Sequence, residues 1–452
     1  MGDPTTMAAS ATAEPQPPRV LWYDVAFWGM TATQFLGAFN DNLFKQILLL
    51  LFVKIPSPDG GPDRDLQWLG MLAFALPFVL FSGYAGHLSD RYPKRRVIVL
   101  SKVAEIVVMA IGCLLFLWYS RTGLTGTLIC LLTLTLFAMG SQSAFFGPGK
   151  YGILPELFHQ RDLPNANGVI LMTTFLAVIL GTAIGGELKE NFADQLWVSG
   201  MVSVAIAVVG TGTAFLIRSP AAAQPELKLE RGSLWIPHDI WELFKRQRGL
   251  YYAVLVSSVF WMVASLVMTA INGFAKYDLD LPDSKASRLL STISLGIAVG
   301  SIVGGLASKD RFNTRVMKTG LWGMVVGLLA TAVLGSWLGF WGGVAMMVIL
   351  GGFTGAFAVP LQVYIQSCPP EALKGRMIAT QNLLNWVGIL LAAGVYFALE
   401  RLLKWFELPY AMMFAAAGGM MLLVGALYHP HDVVLADKPE AKEREAEESE
   451  GG

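Results

Sequence analysis

Asn40, Asp41, Asn42 and Lys45 sit inside the first long apolar stretch of the chain, Phe27 to Phe52. A carboxylate, an ammonium and two amides in one such segment can hold a polar or zwitterionic ligand, or take up a coupling ion. Within a membrane-crossing helix they are costly, roughly 2.5–3.5 kcal/mol per central charge, and they persist where they face protein or a water-filled cavity. Thr31, Gln34, Ala38, Asp41 and Lys45 follow steps of three and four and so share one helix face, with Asn42 on its flank. Two readings stand: the stripe lines a substrate path, or an Asp41–Lys45 ion pair neutralises itself and glues this helix to a neighbour.

Further groups belong to the same inventory. Lys102 and Glu105 are three apart in the third apolar stretch. Lys102 is about 9 Å of helical rise from Arg96, so it either snorkels to the surface or reaches the site. Glu105 is deeper and needs Lys102 or the first helix as a partner. Two prolines and three glycines between Gly147 and Pro155 predict a broken helix end. That break presents Lys150 at its mouth, to meet an anionic headgroup or simply to join the basic loops. Asn165 and Asn167 read as caps of the following helix. The second half offers neutral groups: Gln362, Gln366, Gln381, Asn382 and Asn385, with Gln381 and Asn385 on one face. One charged wall opposite a neutral wall suits an amphiphile better than a sugar.

The elements that must position these residues are membrane helices. Of 452 residues 54% are hydrophobic and 15% charged, against about 25% charged in soluble domains. Net charge is zero, which gives nucleic acid no basic surface to meet. Cys113, Cys130 and Cys368 have neither metal nor disulfide spacing. Twelve apolar windows, from 22–52 to 408–428, predict an all-α membrane protein in two six-helix bundles, 22–217 and 250–428. A linker at 218–249 joins them and carries an amphipathic stretch, Trp235 to Leu243. Disordered tails are expected at 1–21 and, strongly acidic, at 429–452. Even-numbered connections hold eighteen Lys and Arg and odd-numbered ones nine, so the even loops and both termini are expected in the cytoplasm. Lys45 and Lys102 are the two basic residues left deep inside spans.

The halves echo one another. Gly86 to Arg96 is answered by Gly305 to Arg315, with Asp90-Arg91 recurring as Asp310-Arg311. Phe145-Phe146-Gly147-Pro148 pairs with Phe357-Ala358-Val359-Pro360 at an offset of 212, and Gly181 with Gly394 at 213. Parallel six-helix repeats joined by a linker resemble the major facilitator superfamily, and Gly86 to Arg96 is similar to its signature loop, with Pro93 where that pattern has glycine. Gly86, Asp90, Arg91, Arg95, Asp310 and Arg311 would then form a cytoplasmic latch, closed when the protein opens outward; alternatively the basic residues only set topology.

Phe39-Asn40-Asp41-Asn42 with Lys45, Phe146 to Pro155, and Asn165-Ala166-Asn167-Gly168 together resemble the bacterial lysophospholipid transporter family. The resemblance runs over about residues 25–430. It implies a flippase, not an enzyme, that moves lysophosphatidylethanolamine-like lipids across the bacterial inner membrane by alternating access, with Asp41 and Lys150 at the family's charged positions. Some relatives carry a basic residue in span seven, which is lacking here. The headgroup site would comprise Gln34, Asn40, Asp41, Asn42, Lys45, Glu105, Lys150, Gln381 and Asn385. No cofactor is expected; sodium or a proton at Asp41 is the expected coupling ion, and the protein is expected to be a monomer. Many relatives are fused to acyltransferases. The 24 residues after the last span, in which five residues separate His431 from Asp437, lead to the expectation of a separate acyltransferase partner. The competing function is a proton-coupled facilitator for a small solute or drug.

Overall fold

A computed structural model describes residues 21–56, 63–158, 162–222, 225–226, 236–307, 311–312, 314–370, 373–428 and 433–434. The first half contains α1 (Val25–Phe52), α2 (Gln67–Arg91), α3 (Lys94–Thr122), α4 (Gly126–Gly152), a short α5 (Leu154–Leu157), α6 (Leu163–Asn191) and α7 (Trp197–Ala214). The linker helix α8 (His238–Arg246) precedes α9 (Arg248–Gly273), which runs on into a π turn at Phe274–Asp278. Then follow α10 (Asp283–Ala307), α11 (Thr314–Ser367), α12 (Lys374–Trp405) and α13 (Met412–Leu427).

Apolar helices satisfy their own backbone groups, which lipid cannot do. Ends are capped where the chain emerges: Asp24 accepts from the Ala26 amide at 2.8 Å, and Thr125 from the Leu128 amide at 3.3 Å. Ten helices among the described residues are long and apolar enough to cross a membrane. The 54-residue α11 is two crossings, because Gly339 takes φ 61°, a backbone that glycine adopts without strain. Its parts, 314–338 and 340–367, fold back on each other, so that Gly323 meets Phe353 and Gly327 meets Leu350. With the shorter α13, the twelve crossings expected from hydropathy are all present.

Each half has its own apolar core, around Phe44, Met109, Phe116 and Leu132 in the first and Phe260, Phe274, Phe357 and Phe414 in the second. Helix α6 lies directly on α1. A Cβ placed on Gly181 would fall 2.4 Å from the Phe39 carbonyl oxygen, so this approach requires glycine. Odd-numbered connections gather at one end, here the loop end; the linker helix α8 and the described parts of the even connections gather at the other, the linker end.

Three local expectations change. Helix α4 continues through Pro148 to Gly152 instead of breaking. A proline removes one N–H, and Gly149 and Gly152 let α4 pack closely on Ile98 and Lys94 of α3, which holds the helix in place. Helix α6 begins at Leu163 with Asp162 as its N-cap residue, so Asn165 and Asn167 lie inside the first turns rather than at the cap. The expected tails are ordered where they touch the body: Leu21 is buried, and Val433–Val434 pairs antiparallel with Arg311–Phe312. In the linker, α8 buries Ile240, Leu243 and Phe244 and holds Arg376 of α12 through Asp239; Trp235 lies outside the described residues.

Candidate functional site

The polar face of α1 is divided among three neighbours. Nearest the linker end, Gln34 donates to Thr173 at 2.6 Å and accepts from Thr174 at 2.8 Å, both on α6. Thr174 also accepts from the Lys150 ammonium at 2.9 Å. Lys150 therefore projects from α4 into an α1–α6 cluster and is 8% exposed, not displayed at a broken mouth. About 10 Å further along α1, Asp41 accepts from the Ser143 hydroxyl at 2.6 Å and from Gln142 at 3.3 Å, both on α4. One turn beyond, Lys45 donates to Asn42 at 3.1 Å and stands 4.8 Å from the Phe74 ring centroid on α2, a cation–π distance. Asn42 itself donates to the Ala38 carbonyl at 2.7 Å.

Asp41 and Lys45 thus have separate partners, and among the described residues no bridge joins them within 4 Å. Both remain partly exposed, as do Asn42 and Ala38. The self-neutralising pair is not what the fold builds. An acid and a base one turn apart, each held by neutral groups, are available to a zwitterion.

Asn40 and Glu105 turn the other way, into the first bundle. Asn40 donates to Glu105 at 2.9 Å and to the Ser203 carbonyl of α7 at 3.1 Å, and Glu105 pairs with Lys102. Lys102 is 1% exposed and its ammonium lies close to Gly37. It does not snorkel: a carboxylate three residues along its own helix compensates its charge where it is. Thr31 is buried, with no partner for its hydroxyl among the described residues.

In the second half, Gln381 donates to Gln362 at 2.7 Å and to Ser257 at 3.2 Å, and Ser257 donates to Asn385 at 3.0 Å. Gln381 and Asn385 share this neutral cluster of α9, α11 and α12 and do not touch the α1 groups. Trp386, beside them, stacks on Phe78 of α2 with centroids 3.7 Å apart and planes 7° apart.

The halves are joined at the loop end by a network that the sequence reading missed. Gln46, next to Lys45, donates to Asn272 of α9 at 3.0 Å and Ser287 of α10 at 2.9 Å. Asn272 donates to Gln67 at 3.0 Å. Asp65 accepts from the Gln67 amide at 2.9 Å and from the Tyr396 hydroxyl of α12 at 2.6 Å. Burial outweighs these donated hydrogen bonds and pushes the Asp65 carboxyl up to about 7. Around this core, Asp283 of α10 pairs with Lys189 of α6 and Lys276, Glu187 pairs with Arg288, and Tyr277 donates to the Val53 carbonyl at 2.7 Å. The contact extends to mid-membrane, at Phe78–Trp386 on one flank and Ile179–Ser291 on the other. A lone amide at the apolar end of α9, and Gln46 adjoining the stripe, were the available signals.

The segment Gly86 to Arg96 stays within its own half. Lys94 bridges Asp90 at 3.8 Å and pairs with Glu156, Arg95 donates to the Phe215 carbonyl at 2.8 Å, and Arg91 lies 5.7 Å from the ring of Tyr92. Gly86 has open space around it. Asp310 lies outside the described residues, and of Arg311 only the backbone pairing with Val434 is described.

The Major Facilitator Superfamily model matches residues 25–393. A lysophospholipid transporter of Photorhabdus laumondii, named LplT, is 26% identical over 80% of this chain and 86% of its own. The protein of that name from Citrobacter koseri is 28% identical over 81% and 86%. Among solved structures, a mutant of the nucleoside transporter NupG superposes with a TM-score of 0.64 at 11% identity, over 90% of this chain and 99% of that one. A bacterial homologue of the iron transporter ferroportin, in an inward-facing state, also gives 0.64, at 13% identity over 89% and 97%.

Proposed function

This chain belongs to the Major Facilitator Superfamily, and we propose that within it the protein is a flippase for lysophospholipids with an ethanolamine-like headgroup. The observation that carries this reading is the separated Asp41 and Lys45, each partly exposed on α1, with Lys150 further along the same face. The headgroup ammonium is assigned to Asp41 and the phosphate to Lys45 or Lys150, while the neutral α9–α12 side accommodates the acyl chain. The names of the relatives, lysophospholipid transporters at 26–28% identity, support the substrate class.

The excess of Lys and Arg in the even connections puts the linker end in the cytoplasm of the bacterium. In that orientation the bonded loop end is a closed periplasmic gate. The Asp90–Lys94–Glu156 contacts, held within one half, fit a released cytoplasmic latch. The protein would then face inward, and alternating access would proceed by breaking the loop-end contacts as those of the linker end form. A proton or sodium ion would meet Asp41 rather than Glu105, because Lys102 seals Glu105. Cytoplasmic release would hand the lysolipid to a separate acyltransferase.

The test is transport by purified protein in proteoliposomes, using headgroup-labelled lysophosphatidylethanolamine under imposed proton or sodium gradients. Movement of lysolipid that Asp41→Asn abolishes, with expression unchanged, is expected. Transport of a soluble compound with indifference to lysolipid would overturn the assignment.

A further inference from the structure

A second, lipid-facing feature lies far from the α1 stripe. The two crossings of α11 meet at Gly323–Phe353 and Gly327–Leu350, and along the outer side of that seam runs a groove of about 670 Å³. It is lined along one side by Lys318, Thr319, Gly323 and Gly327 and on the other by Ile349 and Phe353. That volume falls in the range of pockets that hold a small molecule. The floor of the groove is the close seam that the glycines allow. At Gly323 an added Cβ would lie 2.2 Å from the Phe353 ring, and at Gly327 it would lie 3.3 Å from Leu350. The groove opens outward: Val326 on its rim is 64% exposed and Ile349 57%. Helix α11 packs on α10, α13, α9 and α12, which leaves this face to the bilayer.

Its dimensions are those of one leaflet. From Lys318 to Ala330 the helix rises about 18 Å, against about 15 Å for half of the hydrocarbon core. The lining is apolar throughout except at the linker end, where Lys318 and Thr319 stand exposed. Lys318 has no ion pair or hydrogen bond with a described residue. An exposed ammonium without a partner among the described residues, over a leaflet-deep apolar groove, complements one amphiphile, an acyl chain carrying a phosphate at its head.

We propose that the α11 groove is a binding site for an anionic glycerophospholipid, with one acyl chain along the outer side of the seam and the headgroup phosphate on Lys318. The site is independent of the transport path, since it shares no residue with the α1 face. A zwitterionic lipid offers the same phosphate but brings its own ammonium to Lys318, so the net-anionic class is preferred. Retention of such a lipid would brace the α11 hairpin along the outer side of its seam.

Native mass spectrometry of the full-length protein, released from nanodiscs containing equal phosphatidylglycerol and phosphatidylcholine, reads the occupant directly. The expected result is a retained one-to-one phosphatidylglycerol adduct. Lys318→Gln should lower its retention about fivefold, the weight of one lysine near an anionic surface, and Lys318→Arg should keep it. Ala330→Phe, which fills the groove, should remove the adduct; Val326→Trp on the rim is the second variant should the first not fold. Leu114→Phe, on an exposed face of α3, should leave retention unchanged, as should Asp41→Asn. Equal retention in the groove-filling variants and the wild type, or equal retention of the two lipids, would overturn the proposal. Loss of the adduct in Asp41→Asn would overturn its independence from the transport site.

Discussion

Replacing Gln46 by leucine should open the loop end. Its side-chain amide donates to Asn272 and Ser287 across the interface, at 3.0 and 2.9 Å, and all three residues are at most 1% exposed. Leucine has a similar volume but leaves the Asn272 carbonyl oxygen and the Ser287 hydroxyl without this donor. Stripping a buried polar group of its partner costs about 1–3 kcal/mol. For two groups that can each relax a little, about 2–3 kcal/mol is the expected loss from the closed state. When the halves part, water reaches both groups, so the open state does not bear that cost. The closed-to-open ratio should therefore fall roughly 30- to 150-fold. Spin labels at Lys54 and Asp280, whose charged atoms lie 4.0 Å apart across the gate, report this. That exposed pair contributes at most about 1 kcal/mol, so labelling it barely perturbs the gate once Cys113, Cys130 and Cys368 have been replaced. In nanodiscs the wild type should give one short distance, and Gln46→Leu a dominant longer one. Adding Asn272→Leu should cost less than the sum of the single changes, because it removes the stranded partner. A folded Gln46→Leu protein with an unchanged distance distribution would refute the view that this network holds the gate.

Three other outcomes are expected. The Asp65 carboxyl, raised to about 7 in the closed fold, takes up a proton more readily there than in the unfolded chain. Its contribution to stability is full below about pH 4 and is lost as pH rises to about 7. The melting-temperature difference between wild type and Asp65→Asn should change over that window and be flat above it; a difference that does not vary with pH would be the contrary result. Breaking the buried Lys102–Glu105 pair with Lys102→Met alone should destabilise by about 3–5 kcal/mol, and Lys102→Met with Glu105→Leu by much less. Thermal denaturation in detergent distinguishes this from a substrate-contacting role, for which the double variant would keep its stability but lose lysolipid binding beyond what stability explains. Ser143→Ala removes the 2.6 Å hydrogen bond to Asp41 and should weaken lysolipid binding roughly 10- to 150-fold, an effect of about 1.5–3 kcal/mol for a bond to a charged group; unchanged binding would show that Asp41 is positioned without it.

The architecture was legible because lipid leaves a chain so few options. Twelve apolar windows had to be helices, and the one boundary the helices blur, at Gly339, is marked in the sequence by two separate windows, 316–338 and 341–365. Asp41, Lys45 and Lys102 stood out for the same reason: a charge in hydrocarbon is expensive enough to be visible without coordinates. Local breaks were harder to read. The prolines and glycines around Lys150 suggested a broken helix, yet α3 packs so closely on Gly149 and Gly152 that α4 continues to Gly152. Propensity lost there to tertiary contact.

From its sequence alone, this protein was determined to be a two-bundle membrane transporter with its ionisable groups in the first half, because composition, period and the cost of charge act residue by residue. Which charges meet was decided only in three dimensions. Lys102 and Glu105 were three apart in sequence, and they do pair. Asp41 and Lys45 were four apart, and they part company: Ser143 lies 102 residues from Asp41, and Phe74 offers Lys45 its ring. Gln46 finds its partners 226 and 241 residues away. A neutral amide costs little enough in a helix to pass unnoticed, and its role as a gate exists only once the second bundle is folded against the first.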